Sequence, residues 1–352
     1  MPDRAPTSKT TPNKPASLAP KLGVAIATFR SEATIEACLD SLWLARADIA
    51  RVVITDNASE DATVGVIRVW AERHDLGSAF AEIAPGDAPP LETWLVLARS
   101  PVNAGFAHAN NRSIEALLAD DAIEMVWLLN PDCRIAPDAA RIYREAGAGQ
   151  DFALMGGRTA YDGAGRGTVQ TDGGRVSRWT GVCQSVNLGR PIATARMPDA
   201  ASLDFITGAN CVASRAFIER AGLMAEDYFL YYEEVDWAYR RGDLPLVVAP
   251  EALVWHLGGA SIGSGLVGRR ASPFANYFNA KSRLRFVRCH HPAATPLALA
   301  HALAKAAQLA LTGRGSEARA LFAGALGRPP PAEVSQMLSP EAQAIAFAPD
   351  RP

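Results

Sequence analysis

A mainly parallel α/β sheet with flanking helices is the fold this sequence predicts, and three observations predict it. Four short apolar runs, at 22–28, 51–56, 94–99 and 124–130, have the length and unbroken hydrophobicity of strands buried on both faces. Segments with helical spacing separate them. Clusters of Asn, Asp and Gly follow the second, third and fourth runs, at the sheet edge where open α/β folds bind ligands.

LGVAIAT (22–28) is the first strand. SEATIEACLDSLWLA then spaces Ile35, Leu39 and Leu42 along one helical face, with Ser31 as the expected N-cap. RVVITD (51–56) is the second strand, and a helix opens after NASED. Residues 71–93 carry Gly and Pro and read as irregular. WLVLAR (94–99) is the third strand, Gly105 to Leu118 a helix, and EMVWLLN (124–130) the fourth strand, ending at Pro131-Asp132. Beyond it the pattern changes. Residues 156–200 hold many Gly, Thr and Arg with little period, and read as a hairpin or an irregular insertion. DFITGAN leads into a helix expected over 210–221. FLYYEEVDWAYRRG (229–242) follows, then two short strand-like pieces in PLVVAPEALVWHLGGAS. From about 272 the chain reads as helical and basic, and 329–352 as a loose tail.

Composition narrows the classes. The chain has 352 residues, 49% hydrophobic and 20% charged, which suits one large or two medium globular domains. A net charge of −2 argues against a general nucleic-acid binder. Five scattered cysteines without a C-x-x-C suggest a reducing cytoplasm, with neither a disulfide framework nor a zinc knuckle. Residues 1–20 are polar and Pro-rich with no apolar core, so a disordered tail is expected there rather than a signal peptide. No apolar run reaches the length of about 18 residues needed to span a bilayer.

Neither a Walker A sequence nor a G-x-G-x-x-G follows the first strand, so a phosphate-cradling loop is missing. A nucleotide diphosphate would then need a cation. Asp132, at the end of the fourth strand, is the candidate to hold Mg²⁺ or Mn²⁺. Taken singly, each polar cluster is also ordinary turn chemistry.

FLYYEEVDWAYRRG packs three carboxylates among aromatic rings, where charge is costly. A helix starting near Glu233 makes Asp236 and Arg240 i, i+4 partners and turns Val235, Ala238 and Tyr239 inward. Glu234 lies about 100° round from Glu233, near the helix start. One acid is thus paired, and at least one is free to face a cleft.

The segment 269–328 carries ten Lys/Arg against one acid. In PLALAHALAKAAQLAL (296–311), His301, Lys305 and Gln308 share one side and leave a wide Leu/Ala face. Two readings stay open: a helix on an anionic membrane surface, through 269–312, or a helix packed on the rest of the protein.

TFRSEATIEACLDSL, TDNASED, NAGFAHANN, LLNPDCRI, FITGANCVASRAFIERAG, FLYYEEVDWAYR and VWHLGGAS occur in that order. Together, over about 21–290, they resemble family 2 glycosyltransferases, in the branch that includes bacterial rhamnosyltransferases. The resemblance implies a GT-A fold with a mixed, mainly parallel sheet in a catalytic domain over 21–268, and a helical extension over 269–328. It implies that Thr28 and Asp56 flank the nucleotide base, and that Asn103, Gly105, Phe106 and Asn110 shape the donor floor. NPD stands where the family has D-x-D, so Asp132 would be the metal ligand, with Asn130 in place of the first acid and His256 completing the site. The catalytic base falls at Glu234, where the family has Asp, with Glu233 as the fallback. The implied activity is inverting transfer from a nucleotide-diphosphate sugar, dTDP-L-rhamnose for example, to a glycan or glycolipid acceptor in cell-surface glycan synthesis. The enzyme would use Mg²⁺ or Mn²⁺ in the cytoplasm, at the inner membrane face. A nucleotidyltransferase would need a basic Gly-rich loop where TFRSEAT stands. A non-catalytic sugar-nucleotide module would have lost the base or the metal acid, and both are present.

Overall fold

All four apolar runs are neighbours in one ten-stranded sheet of the computed structural model, which describes residues 19–163, 165–258 and 270–348. The strands are β1 (Lys21–Thr28), β2 (Arg51–Asp56), β3 (Phe80–Ile83), β4 (Leu95–Arg99), β5 (Ile123–Leu129), β6 (Cys133–Ile135), β7 (Leu154–Tyr161), β8 (Val169–Thr171), β9 (Gly174–Val176), β10 (Cys183–Ser185), β11 (Asn210–Ser214) and β12 (Leu246–His256). The helices are α1 (Ile35–Leu44), α2 (Thr63–Arg73), α3 (Phe106–Leu118), α4 (Ala139–Gly147), α5 (Arg215–Ala221), α6 (Glu233–Tyr239), α7 (Pro273–His290), α8 (Thr295–Leu311), α9 (Gly315–Ala325), α10 (Ala332–Ser335) and α11 (Pro340–Ala346).

Strand order is β3-β4-β2-β1-β5-β11-β7-β12-β6, with β8 beside β7 and β9–β10 a separate hairpin. The first five strands in this order run parallel; β11 is antiparallel to both of its neighbours. Side chains alternate across a strand. Leu22, Val24 and Ile26 of β1 therefore join the core under α1, α2 and α4, while Ala25 joins the core on the opposite face, under α3. Burial on both faces is why these runs read as unbroken hydrophobicity.

Several expectations need correction. Ser31 does not cap α1 through its side chain: its backbone carbonyl accepts from the N–H groups of Thr34 and Ile35, and the helix starts at Ile35. Residues 71–93 contain the edge strand β3, only four residues long and largely half-buried, so its alternation is weak. Residues 154–161, read partly as an insertion, form the fully buried β7. Its glycines broke the apolar pattern for a packing reason. A Cβ at Gly157 would lie 2.4 Å from the Ala252 carbonyl of β12. Residues 210–214 are a strand, and the helix begins only at Arg215, where the Ser214 hydroxyl accepts from the Phe217 N–H. A run buried on both faces carries no period that separates strand from helix.

The C-terminal third is helical, as expected, but 332–346 is not loose. Val334, Leu338, Ala342 and Ala346 are buried in a cluster with Phe274, Tyr277 and Phe278 of α7. Lys281 donates to the Ala346 carbonyl at the end of α11. In α8, Ala298, Ala302, Ala306 and Leu309 are buried in the helical layer, so much of the apolar face is spent on packing. No helix among the described residues is long and apolar enough to cross a membrane. Most of the expected N-terminal tail, residues 1–18, lies outside the described residues. So do 259–269, which hold the end of VWHLGGAS and Arg269 of the basic segment.

β7 is tied to the residue that follows β8 by an internal ion pair. Arg158 Nη2 and Nε donate to the two carboxylate oxygens of Asp172 at 2.9 and 3.0 Å, with side chains 10% and 0% exposed. Asp172→Ala strands the guanidinium and should lower stability by about 3–5 kcal/mol, read as the denaturant midpoint. Arg158→Met with Asp172→Leu should recover most of the loss; no recovery would show that the pair does more than neutralise itself.

Candidate active site

Three of the parallel strands end at one cleft. Thr28 closes β1 and is paired in register with Asp56, which closes β2. The Thr28 hydroxyl donates to one Asp56 carboxylate oxygen at 3.0 Å, and the Ser59 N–H to the other at 3.0 Å. Asp56 is 2% exposed and does not itself line the cleft; it braces Thr28, which does. β5 ends in Asn130-Pro131-Asp132. The cleft encloses about 730 Å³ of empty space, its open mouth included, and is lined by Thr28, Asn57, Asn103, Gly105, Phe106, Asp132, Phe229, Phe274 and Leu338, among others. That is within the range of small-molecule sites, roughly 300–1,000 Å³.

The floor is built by side-chain hydrogen bonds. Asn57 Nδ2 donates to Asn103 Oδ1 at 2.9 Å and to the Gly105 carbonyl at 3.0 Å, while Asn57 Oδ1 accepts from the Ala104 N–H. Gly105 has φ +98°, and a Cβ there would lie 2.5 Å from the Phe229 carbonyl. Only glycine fits that turn and that contact. The next N–H, of Phe106, donates to the same carbonyl at 3.0 Å. Asn110 donates instead to the Phe106 carbonyl within α3 and does not line the cleft. Asn57, Phe229, Phe274 and Leu338 were not singled out from sequence. Asn57 lies inside TDNAS and was within reach; Phe274 and Leu338 arrive from the C-terminal helices, and nothing in their local sequence marks them.

At the other end of the cleft, Asp132 Oδ1 lies 3.1 Å from His256 Nε2. His256 Nδ1 is 2.6 Å from Gln170 Oε1, a contact that holds the ring with Nε2 toward Asp132. A carboxylate oxygen and an imidazole nitrogen this close can share a cation. Asn130, whose Nδ2 lies 3.3 Å from His256 Nε2, has a buried Oδ1 with no hydrogen-bond partner among the described residues, a second oxygen at the site. This donor set fits Mg²⁺ or Mn²⁺. Cys133 lies within reach, but it is fully buried in β6, and burial, with Asp132 adding to it, pushes its thiol well above its usual range. A group that stays a thiol is a poor ligand.

The three acids of FLYYEEVDWAYRRG have three different surroundings. Tyr231 and Tyr232 both adopt left-handed backbone, φ +67° and +71°, a cost of about 1–3 kcal/mol each. The Tyr232 hydroxyl, donating to the Gly181 carbonyl at 2.7 Å, and its ring against Phe286 help hold that turn. Asp236 accepts from Arg240 Nε at 2.9 Å and from His290 Nε2 at 2.8 Å. Burial pushes its carboxyl up, but the His290 hydrogen bond and the Arg240 charge outweigh it and hold it below its usual range. Glu233 is 3% exposed, and its Oε2 has no partner among the described residues. Burial, then the charge of Glu234, drives it well above the usual carboxyl range. Glu234 opens on a cavity with Tyr231, Asn279 and Arg283. Burial raises its carboxyl too, and hydrogen bonds from backbone groups, Gly208 among them, oppose the rise. Gly208 is also the bridge to the cleft: a Cβ there would lie 3.4 Å from the Phe106 ring and 3.5 Å from Glu234 Cβ.

No family model matches the chain. It is 22% identical, over 220 residues, to the low-salt glycan biosynthesis hexosyltransferase Agl10 of Haloferax volcanii; the match covers 62% of this chain and 61% of that relative. Among solved structures it is similar to GalNAc-T7 with UDP, GalNAc and Mn²⁺, with a TM-score of 0.52 and 13% identity over 79% of this chain and 51% of that one. That likeness shows the fold. The mixed, mainly parallel sheet with flanking helices is the GT-A fold.

Mn²⁺ titration by calorimetry, with a nucleoside diphosphate present, tests the cation site. Asp132→Ala should abolish binding with the fold intact. Gln170→Ala, which frees the His256 ring, should weaken it by about 10–100-fold. Unchanged affinity in Asp132→Ala would exclude the site.

Proposed function

We propose that the chain is a glycosyltransferase that moves a sugar from a nucleotide diphosphate to an acceptor hydroxyl, with inversion at the anomeric carbon. The observation that carries this reading is the shared wall at Gly208, which has the Phe106 ring of the cleft floor and the Glu234 side chain as neighbours. Similarity to a hexosyltransferase and to a GT-A structure holding UDP supports the same chemistry. The rhamnosyltransferase-like motifs make dTDP-L-rhamnose the donor of choice, and a lipid-linked or polysaccharide hydroxyl the acceptor.

In this reading Thr28 and Asp56 hold the nucleotide base, and Asn103, Gly105 and Phe106, braced by Asn57, carry the rest of the donor. The acceptor approaches from the Glu234 side. Its hydroxyl proton passes to a Glu234 carboxylate oxygen as the hydroxyl oxygen bonds to the anomeric carbon. The bond from that carbon to the diphosphate breaks, and its electron pair leaves with the nucleoside diphosphate. One displacement inverts the centre. A divalent cation held by Asp132 and His256 would neutralise the departing diphosphate. Glu233, buried and away from the cavity, is the weaker candidate for the base. We also place the enzyme in the cytoplasm at the inner membrane face. The basic charge of the 270–312 region, with Leu297 and Leu311 exposed on α8, supports that placement.

Glu234→Gln keeps size and hydrogen bonding but cannot take a proton. Its turnover with saturating substrates should fall by about 10²–10⁴, with donor binding little changed. Glu233→Gln should cost much less; a dead Glu233→Gln beside an active Glu234→Gln would move the base one residue back.

The same assignment has a pH signature. A base works ionised, and the Glu234 carboxyl is raised. Activity should therefore fall with decreasing pH through a midpoint above the ordinary glutamate value of about 4.3. A kcat/KM profile flat down to that value would contradict the assignment.

A further inference from the structure

Arg283 of α7 is 7% exposed, yet its guanidinium has no hydrogen bond or ion pair among the described residues, and its Nε is buried and unsatisfied. Its neighbours Tyr232 and Cys183 are neutral, and burial lowers its pKa. An arginine buried without a counter-ion is costly, and folded proteins avoid it unless something else supplies the anion. Arg283 lines two adjoining cavities. One contains Glu234; the other, about 1160 Å³ of empty space with its mouth included, is bordered by His301, Lys305 and Gln308 of α8. Tyr231 and Asn279 are common to both, so the two share a wall. Glu234 is the one carboxylate among their described lining residues. Among the described residues Lys305 has a single hydrogen bond, to the neutral Gln308 at 2.9 Å. Two cations and the donors of Asn279, His301 and Gln308 thus surround a space that opens beside Glu234.

We propose that this cavity seats a phosphoryl group of the acceptor, with Arg283 and Lys305 as its counter-charges, so that the acceptor is a phosphate-bearing sugar held by its phosphate while its hydroxyl meets Glu234. Two cations with several neutral donors match the charge and the many oxygens of a phosphate or diphosphate better than those of a lone carboxylate. The proposal rests on the glycosyl-transfer reading for the hydroxyl, but not for the phosphate site itself. α8 is then more than a packing element. It closes the cavity with its polar side while its alanines hold it to α7 and α9.

The test is calorimetry on the full chain in EDTA, so that no cation-mediated binding contributes. Inorganic diphosphate and farnesyl diphosphate are the probes, with glucuronate as the carboxylate control. Wild type should bind diphosphate. Arg283→Met and Lys305→Gln should each weaken it at least about tenfold, and Asp132→Ala should leave it unchanged. Farnesyl diphosphate binding well above inorganic diphosphate identifies a lipid-linked acceptor; equal binding identifies a soluble phosphorylated one. Arg283→Met should keep or raise the denaturation midpoint, because it removes a stranded charge; a merely structural arginine would lower it. No metal-free diphosphate binding, a preference for glucuronate, or binding lost in Asp132→Ala and kept in Arg283→Met would each overturn the proposal. Nucleoside diphosphate binding with Mn²⁺, measured alongside, separates the two readings: its failure sinks the donor cleft and leaves the phosphate site standing.

Discussion

One carbonyl oxygen organises this molecule. The Phe229 carbonyl meets the backbone at Gly105, where a Cβ would lie only 2.5 Å away, and accepts the Phe106 N–H at 3.0 Å. Through that contact the loop after β4, which builds the floor of the cleft, is fixed to the loop that starts α6. Everything proposed for chemistry hangs on this join. A side chain at 105 would push the two loops apart, and the acids of α6 would no longer stand beside the cleft.

The acid cluster makes sense once its members are separated by surroundings rather than by spacing. Asp236 is a structural clamp, gripped by Arg240 and His290. Glu233 is buried, with its carboxyl held well above the usual range. Glu234 alone opens on a cavity. Like charges packed together repel, and here the repulsion is relieved because one acid is paired and another is pushed toward its neutral form. The left-handed turn at Tyr231 and Tyr232 is the backbone strain that aims them, held in place by the packing of both loops.

The C-terminal helices are part of the site rather than an appendage. Phe274 and Leu338 wall the cleft, Ser282 donates to the Leu230 carbonyl, and Arg283 enters the adjoining cavity. Basic character in this segment therefore has two components. Part of it lies on the surface, and part is turned inward, where charge is costly and needs an anion to balance it.

Much was legible in the sequence because it is written in local chemistry. Four unbroken apolar runs determined the parallel core, Asn and Asp at strand ends marked the cleft, and Asp236 and Arg240 announced their pairing by i, i+4 spacing. The chain alone did not separate strand from helix at 210–214 or reveal β7, because residues buried on both faces carry no period and glycines required by close packing mimic a loop. Nor could it tell which acid faces a cavity, that Gln170 orients His256, or that 332–346 is packed rather than loose. Those facts depend on residues far apart in sequence: Gly208 beside Phe106 and Glu234, Leu338 and Thr28 lining one cleft, Arg283 without a partner among the described residues. Local spacing determines which residues can share an element; only the tertiary structure decides burial and neighbours, and those set the charge and the use of each group.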